Sequence, residues 1–97
     1  MALILSALIE QKLLDKHEVS RKEVLECFSN RCGAELVDTR EEHATDPPTC
    51  WFIARTNHRR LLKVVYLRRG ADVFLRTAYA PNADELAIYR RFGGDTE

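Results

Sequence analysis

The chain has 97 residues, of which 45% are hydrophobic, and this is enough for one domain with one core but not for two. Fifteen Lys and Arg balance fifteen Asp and Glu, which argues against a free RNA-binding protein, because such proteins are usually basic overall. The charge is uneven, since residues 1–50 carry six cationic and ten acidic side chains whereas residues 51–97 carry nine and five. The basic C-terminal half permits a site for phosphates or for an acidic partner.

The first stretch predicts a strand or a helix lead-in, followed by a helix. Residues 2–5 fit either a short edge strand or the approach to the helix. Ser6 is suited to cap a helix that runs to about Lys16. Its predicted buried stripe consists of Leu8, Ile9 and Leu13.

The apolar start and the cysteines bear on location. The start has no basic leader and reaches Glu10 after too few residues to span a bilayer, so neither a signal peptide nor a membrane segment is expected. The odd cysteine count, without a disulfide-like spacing, favours reduced thiols. Together these features predict a cytoplasmic protein.

The second helix has the clearest start signal. Ser20 followed by Glu23 forms a capping box, and Val19 before the cap can pack on Val24 as a hydrophobic staple. The apolar face of this helix is predicted to be Val24, Cys27 and Phe28. His17 lies in the tight link between the two helices.

Strand-like segments occupy much of the remaining chain. Residues 34–38 and 50–56 are predicted strands, separated by a polar loop that contains Pro47 and Pro48. Residues 61–67 and 73–79 are apolar runs of strand length on either side of a turn.

That turn and the last helix each have a local signal. Gly70 tolerates a positive φ and Asp72 can bond nearby backbone, so the two apolar runs are predicted to form a hairpin. Both faces of the hairpin are largely apolar, which places it in the middle of a sheet. Asn82 is the predicted N-cap of a last helix, with Glu85 at the matching capping-box position.

The element order predicts a single α+β domain over residues 1–97. We expect a small antiparallel β-sheet of about four strands, with two N-terminal helices packed on one face and a C-terminal helix. The helices are expected to pack against one face of this sheet. The predicted core is Leu8, Leu13, Val24, Phe28, Ile53, Val64 and Leu75.

Several of these segments resemble a known family. The run Lys16-His17-Glu18-Val19-Ser20, with Glu23 after it, is similar to the link between the first two helices of BrnT-type toxins. Those toxins belong to the RelE/ParE-like superfamily of toxin–antitoxin systems. The run Arg60-Leu61-Leu62-Lys63-Val64-Val65-Tyr66, ending at Gly70, resembles the central hairpin of the family, and Glu85 with Tyr89 resembles the Glu-x-x-x-Tyr of its final helix. The matching order extends over about residues 12–91.

Two departures accompany the resemblance. Tyr79 stands where the family usually has an Arg after its last strand. The acidic segment at 38–43 and the double proline look more like a closely related sister group of short uncharacterised proteins. The resemblance implies a cytoplasmic toxin that cleaves RNA, with an antitoxin protein that covers its basic face.

Metal-independent RNA cleavage needs a base for the 2′-OH, cations for the phosphate charge and an acid for the leaving oxygen. Arg76 lies in an apolar strand and is the best candidate phosphate clamp, with an ion pair to Glu85 or a solvated strand face as the alternative. Lys63 is a similar candidate, although it could instead extend its ammonium group to solvent.

The candidate acid–base groups are His17 and Tyr79. A histidine can gain or lose a proton near neutral pH, and the alternative for His17 is a helix cap that bonds backbone carbonyls. Tyr79 can stack on a base or donate a proton, or it can pack into the core. We predict that Arg76, Lys63 and His17 line one groove with Tyr79 at its edge.

Further cations are predicted to bind RNA, and no metal is predicted. The RNA-binding candidates are Arg40, His43, Arg59, Arg60, Arg68 and Arg69. The residues Cys27, Cys32, His43 and Cys50 lack the close pairs of a zinc site, and no cofactor motif is present, so neither a metal nor a cofactor is expected.

The alternative function is a non-catalytic module on the same fold. Its basic sheet face would bind an acidic protein partner, and the balanced total charge favours this interpretation. RNA and an antitoxin remain the predicted partners of the toxin, and a homo-oligomer is left open.

Overall fold

The computed structural model describes residues 2–38 and 48–96. The candidates Arg40 and His43, with most of the predicted double-proline loop, lie outside the described residues. The helices and strands are β1 (Ala2–Ile4), α1 (Ala7–Lys12) continued by a π-helical turn (Leu13–His17), α2 (Arg21–Asn30), β2 (Leu36–Val37), β3 (Thr49–Arg55), β4 (Leu61–Arg69), β5 (Asp72–Tyr79) and α3 (Ala83–Phe92). No helix among the described residues is long and apolar enough to cross a membrane.

The predicted α+β class is confirmed, but the sheet is larger than expected. It has five strands in the order β1-β5-β4-β3-β2. β1 pairs in parallel with β5, whereas the other pairs are antiparallel, so the purely antiparallel prediction is wrong at this edge. A parallel pair needs a long connection between its strands, and the whole intervening chain provides one here.

The central hairpin forms as predicted. β4 lies in the middle of the sheet, and Gly70 takes a φ of 60° in the two-residue turn between Arg69 and Asp72. An irregularity in register follows, because Val65 pairs with Thr77 whereas Tyr66 pairs with Leu75. Arg76 is therefore the extra residue of a β-bulge, and such bulges redirect side chains out of the regular ladder.

The predicted helix caps also form. The side chain of Ser6 accepts from the backbone of Ile9, and Ser20 with Glu23 makes both bonds of its capping box. Asn82 and Glu85 do the same at the start of α3. These signals were recognisable because each involves residues only three positions apart.

Helices cover both faces of the sheet, contrary to the one-face prediction. Phe28 of α2 packs its ring against Phe52 and Tyr66 on one face, at centroid distances of 4.9 and 5.3 Å. On the other face, Tyr89 of α3 is fully buried and packs against Trp51 at 5.7 Å. The regular alternation of β3 places Phe52 and Trp51 on opposite sides.

The predicted core is mostly correct. Leu13, Val24, Ile53, Val64 and Leu75 are buried, and Phe28 packs against them while partly exposed. Leu8 is wrong, because 66% of its surface is exposed. Ile9 and Leu13, four residues apart, form the inward stripe of the first helix, and Leu8 lies one residue outside that stripe.

Candidate functional site

A small basic pocket lies between the first helix and β5. We call it the basic pocket; its volume is about 140 Å³, and it is lined by Ile9, Lys12, Leu13, Lys16, His17, Arg76 and Thr77. None of the described residues that line it carries a carboxylate. Within residues 2–38 and 48–96, neither Lys12, Lys16 nor Arg76 forms an ion pair. The pocket therefore concentrates positive charge that the fold does not neutralise.

Two local irregularities build this pocket. The helix positions 9, 12, 13, 16 and 17 share one side because they follow the helical spacing. The last of them fall in the π-helical turn Leu13–His17, a wider winding that is frequent at functional sites. On the facing strand, the β-bulge supplies Arg76, whose side chain is exposed.

Tyr79 adjoins His17, but its hydroxyl points elsewhere. The rings of Tyr79 and His17 are 5.6 Å apart between centroids. The hydroxyl of Tyr79 donates to Oε2 of Glu85 at 2.7 Å. The ring of Tyr79 therefore lies beside His17 of the basic pocket, whereas its hydroxyl proton is directed to a carboxylate.

Lys63 is not the unpaired cation that the sequence predicted. Its Nζ lies 2.7 Å from Oε2 of Glu85, with only 10% and 18% of the two side chains exposed. The same Nζ lies 4.5 Å from the ring centroid of Trp51, in a cation–π arrangement. The alternative pairing of Glu85 with Arg76 is not found, because β4 places Lys63 beside Tyr79 and beneath α3.

Glu85 connects the sheet to the last helix. Its Oε1 accepts from the backbone of Asn82 at 3.1 Å, while Oε2 binds Lys63 and Tyr79. Burial would raise the pKa of Glu85, but the hydrogen bonds from Lys63 and Tyr79 hold that pKa below its usual value. Glu85 is therefore ionised at neutral pH.

Lys63 lines a second, larger site, so the prediction of one shared groove is wrong. This apolar groove has a volume of about 490 Å³ and is lined by Leu36, Val37, Asp38, Trp51, Lys63, Glu85, Ile88 and Phe92. Val37, Ile88 and Phe92 are 50%, 47% and 64% exposed. Tyr79 lies between the two sites, since it contacts His17 on one side and Glu85 on the other.

Arg60 stabilises the fold, because both terminal nitrogens of its guanidinium donate hydrogen bonds to other parts of the chain. Nη2 donates to the carbonyl oxygen of His17 at 2.7 Å, and Nη1 donates to that of Glu18 at 2.7 Å and to Glu23 at 3.2 Å. These carbonyls lie at the end of the π-helical turn, where the helix leaves them without internal partners. Arg60 therefore fixes the backbone of His17, a structural role that the sequence analysis does not assign to it, and its RNA-binding role stays a prediction.

We expect Arg60→Ala to destabilise the protein by about 2 kcal/mol or more, because charge-assisted hydrogen bonds to three acceptors are lost. Arg60→Lys should recover only part of the loss, since a single ammonium cannot reproduce the planar fork. Urea unfolding checks both variants. Stability of Arg60→Ala equal to that of wild type would show that the clamp contributes nothing.

The other predicted RNA-binding arginines differ in their surroundings. Arg68 donates to Glu35 at 2.8 Å, and the Tyr66 hydroxyl donates to the same carboxylate. Burial would raise the pKa of Glu35, but these hydrogen bonds lower it. Arg68 is thus neutralised within the fold, whereas Arg59 and Arg69 are exposed.

Two cations of the basic pocket, Lys12 and Lys16, were missed from the sequence. Lys16 enters the sequence-based prediction only as the end of the first helix and as part of the family-like run, and Lys12 does not enter it as a site residue. Their spacing from His17 and from Ile9 was the available signal, because positions 9, 12, 13 and 16 lie on one side of a helix. Arg76 could not be added to them before the sheet was known.

The cysteines are separate thiols. Cys27 and Cys50 are buried and Cys32 is exposed, and none forms a disulfide. Burial, with nearby carboxylates, raises the pKa of Cys27 to about 12, so this thiol is unreactive at neutral pH. Among the described residues, no group of three or more His, Cys, Asp or Glu side chains could hold a metal ion.

Comparison with known proteins adds no further constraint, because no protein-family model and no curated protein matches this chain. The fold and the two sites define a small α+β domain with a basic pocket and an apolar groove on either side of Tyr79.

Proposed function

We propose that the protein is a ribonuclease-type toxin that cleaves single-stranded RNA without requiring a metal ion. The observation that carries the proposal is the basic pocket, where Arg76, Lys12 and Lys16 surround His17 and none of the described lining residues carries a carboxylate. Its volume of about 140 Å³ suits a phosphate group better than a nucleobase with its ribose. The resemblance to BrnT-type toxins supports the same chemistry.

In this proposal, His17 accepts the proton of the RNA 2′-OH. The 2′ oxygen then forms a bond to phosphorus, and the bond from phosphorus to the 5′ oxygen breaks. Arg76 binds two phosphate oxygens and stabilises the charge that develops on them. The ammonium group of Lys16 donates a proton to the departing 5′ oxygen, and the products are a cyclic phosphate and a 5′-hydroxyl.

Tyr79 takes a positioning part in this scheme. Its hydroxyl donates to Glu85 and its ring lies against His17, so we assign the ring, and not the hydroxyl proton, to contact with a base next to the bound phosphate. Lys63 acts only indirectly: it forms an ion pair with Glu85, and Glu85 in turn accepts from Tyr79 and holds it in place. The cellular setting proposed is the cytoplasm, with an antitoxin partner.

The test combines cleavage and growth. Purified protein is incubated with single-stranded RNA in excess chelator, with and without ribosomes, and expression is induced in cells from a tightly controlled promoter. We expect fragments that end in cyclic phosphate, and growth arrest. Absence of both cleavage and growth arrest would reject the toxin and favour the alternative below.

The second candidate is a non-catalytic module that binds a protein partner through the apolar groove. The exposure of Val37, Ile88 and Phe92 around one groove favours it, since exposed apolar patches mark interaction sites. The predicted basic sheet face is less suited to this role, because Arg60 and Arg68 are engaged internally. In this case Phe92→Ser should abolish partner binding while Arg76→Ala leaves it unchanged.

A further inference from the structure

A third pocket lies at the turn between β3 and β4, away from the basic pocket. We call it the turn pocket; its volume is about 400 Å³, and it is lined by Asn30, Arg55, Thr56, Asn57, Arg59 and Thr96. The part of the lining that the structure describes is polar and holds two arginines but no carboxylate. Among the described residues, neither Arg55 nor Arg59 forms an ion pair.

Arg55, which lines this pocket, has one buried donor that is not used. Its Nε is inaccessible to solvent and has no hydrogen-bond partner among the described residues. The same guanidinium is held in place because its Nη1 donates to the carbonyl of Arg59 at 2.9 Å. Leaving such a charged donor without an acceptor costs free energy, which an anion bound to the same guanidinium would offset.

The turn holds this arrangement rigidly. Arg59 has a φ of 68°, a left-handed conformation that costs a non-glycine residue about 1 kcal/mol or more. It is maintained by hydrogen bonds from Arg59 to the carbonyl of Thr56 and from Arg60 to the Thr56 hydroxyl. Asn30 ties the turn to α2 by donating to the carbonyl of Arg55 and to the side chain of Asn57.

The local charge favours an anion. α2 ends at Asn30, and its carbonyl end contributes only about half a negative charge. Glu26 is nearby, but its carboxylate accepts from the backbone of Asn57 and does not line the pocket. The guanidinium groups of Arg55 and Arg59 together carry more charge than the helix end, and guanidinium geometry matches a phosphate.

We infer that the turn pocket binds a phosphate group through Arg55 and Arg59. Resting on the proposed function, we assign this phosphate to the backbone of the bound RNA, at a second position along the strand. Arg60 links the turn pocket to the basic pocket. It follows Arg59 directly in the chain, and its side chain donates a hydrogen bond to the carbonyl oxygen of His17. A strand held at two points would be fixed in register over His17.

The phosphate claim is tested without any cleavage. Inorganic phosphate is titrated into the protein while the Nε–H signal of Arg55 is followed by NMR. We expect that signal to shift on binding, and Arg59→Gln to weaken the phosphate affinity about tenfold. Arg90→Gln is the matched control, since Arg90 is also exposed but lies on α3 and does not line the turn pocket. An Arg55 signal that does not move, or equal weakening by Arg90→Gln, would overturn the site.

The RNA claim uses a strand with 2′-O-methyl riboses, which binds but cannot be cleaved. For this strand, Arg59→Gln should reduce the slope of log affinity against log salt by about 0.7, the value for one lost phosphate contact on single strands. An unchanged slope would reject the RNA assignment. Failure of cleavage alone would count against the proposed function and not against phosphate binding here.

Discussion

Arg76→Ala is expected to slow RNA cleavage by about 100-fold or more while leaving the fold intact. Arg76 is the strand residue of the basic pocket, and it makes no ion pair among the described residues. Removing a single fixed donor from the charge that develops in a transition state typically costs this factor. Because its side chain is exposed, the change in unfolding free energy should stay within about 0.5 kcal/mol.

The measurement is a single-turnover cleavage rate on one RNA, with thermal melts of each variant. Arg90→Ala is the matched control because it removes the same charge from another exposed position, on α3 and outside the basic pocket. His17→Ala should lose a similar factor to Arg76→Ala, as expected for a general base. Equal rates for Arg76→Ala and wild type, with both proteins folded, would show that the phosphate binds elsewhere.

Glu85→Ala is expected to be the most destabilising single change, by about 3–5 kcal/mol. It leaves the nearly buried ammonium of Lys63 without its counter-charge and the Tyr79 hydroxyl without its acceptor. It also removes one bond of the capping box of α3. A loss of this size is a large part of the total stability of a domain, about 5–15 kcal/mol.

Chemical unfolding at neutral pH measures this loss. The control is the double variant Lys63→Met with Glu85→Gln, which removes both charges and keeps one amide oxygen that can accept either from Tyr79 or from the helix cap. Its stability should lie within about 1–2 kcal/mol of wild type, because replacing a buried ion pair as a whole is much less costly than breaking it. If Glu85→Ala and the double variant are equally stable, the unpaired charge is not the cause.

The same ion pair gives a defined pH dependence. The pKa of Glu85 is lower in the folded protein than its ordinary value, so its contribution is complete above the ordinary carboxyl pKa of 4.5. The contribution is lost as the pH falls through the lowered folded pKa. Wild type should therefore lose more stability below about pH 4.5 than the double variant does, with Glu35 contributing to both in the same direction.

The helix caps and the hairpin turn are predictable from short patterns in the sequence. The caps at Ser20 and Asn82 and the turn at Gly70 each depend on residues within a few positions, so the pattern in the chain was sufficient. The apolar content of both faces of the hairpin likewise placed β4 in the middle of the sheet. These features hold whatever partner the protein has.

Which cationic side chains remain available to a ligand depends on tertiary contacts. Arg60 bonds His17 across 43 residues and Lys63 bonds Glu85 across 22, and no local pattern specifies such pairs. The bulge that presents Arg76 depends on the register between β4 and β5. The charge of a residue is thus readable from the sequence, whereas its neutralisation depends on contacts that exist only once the sheet and helices have packed.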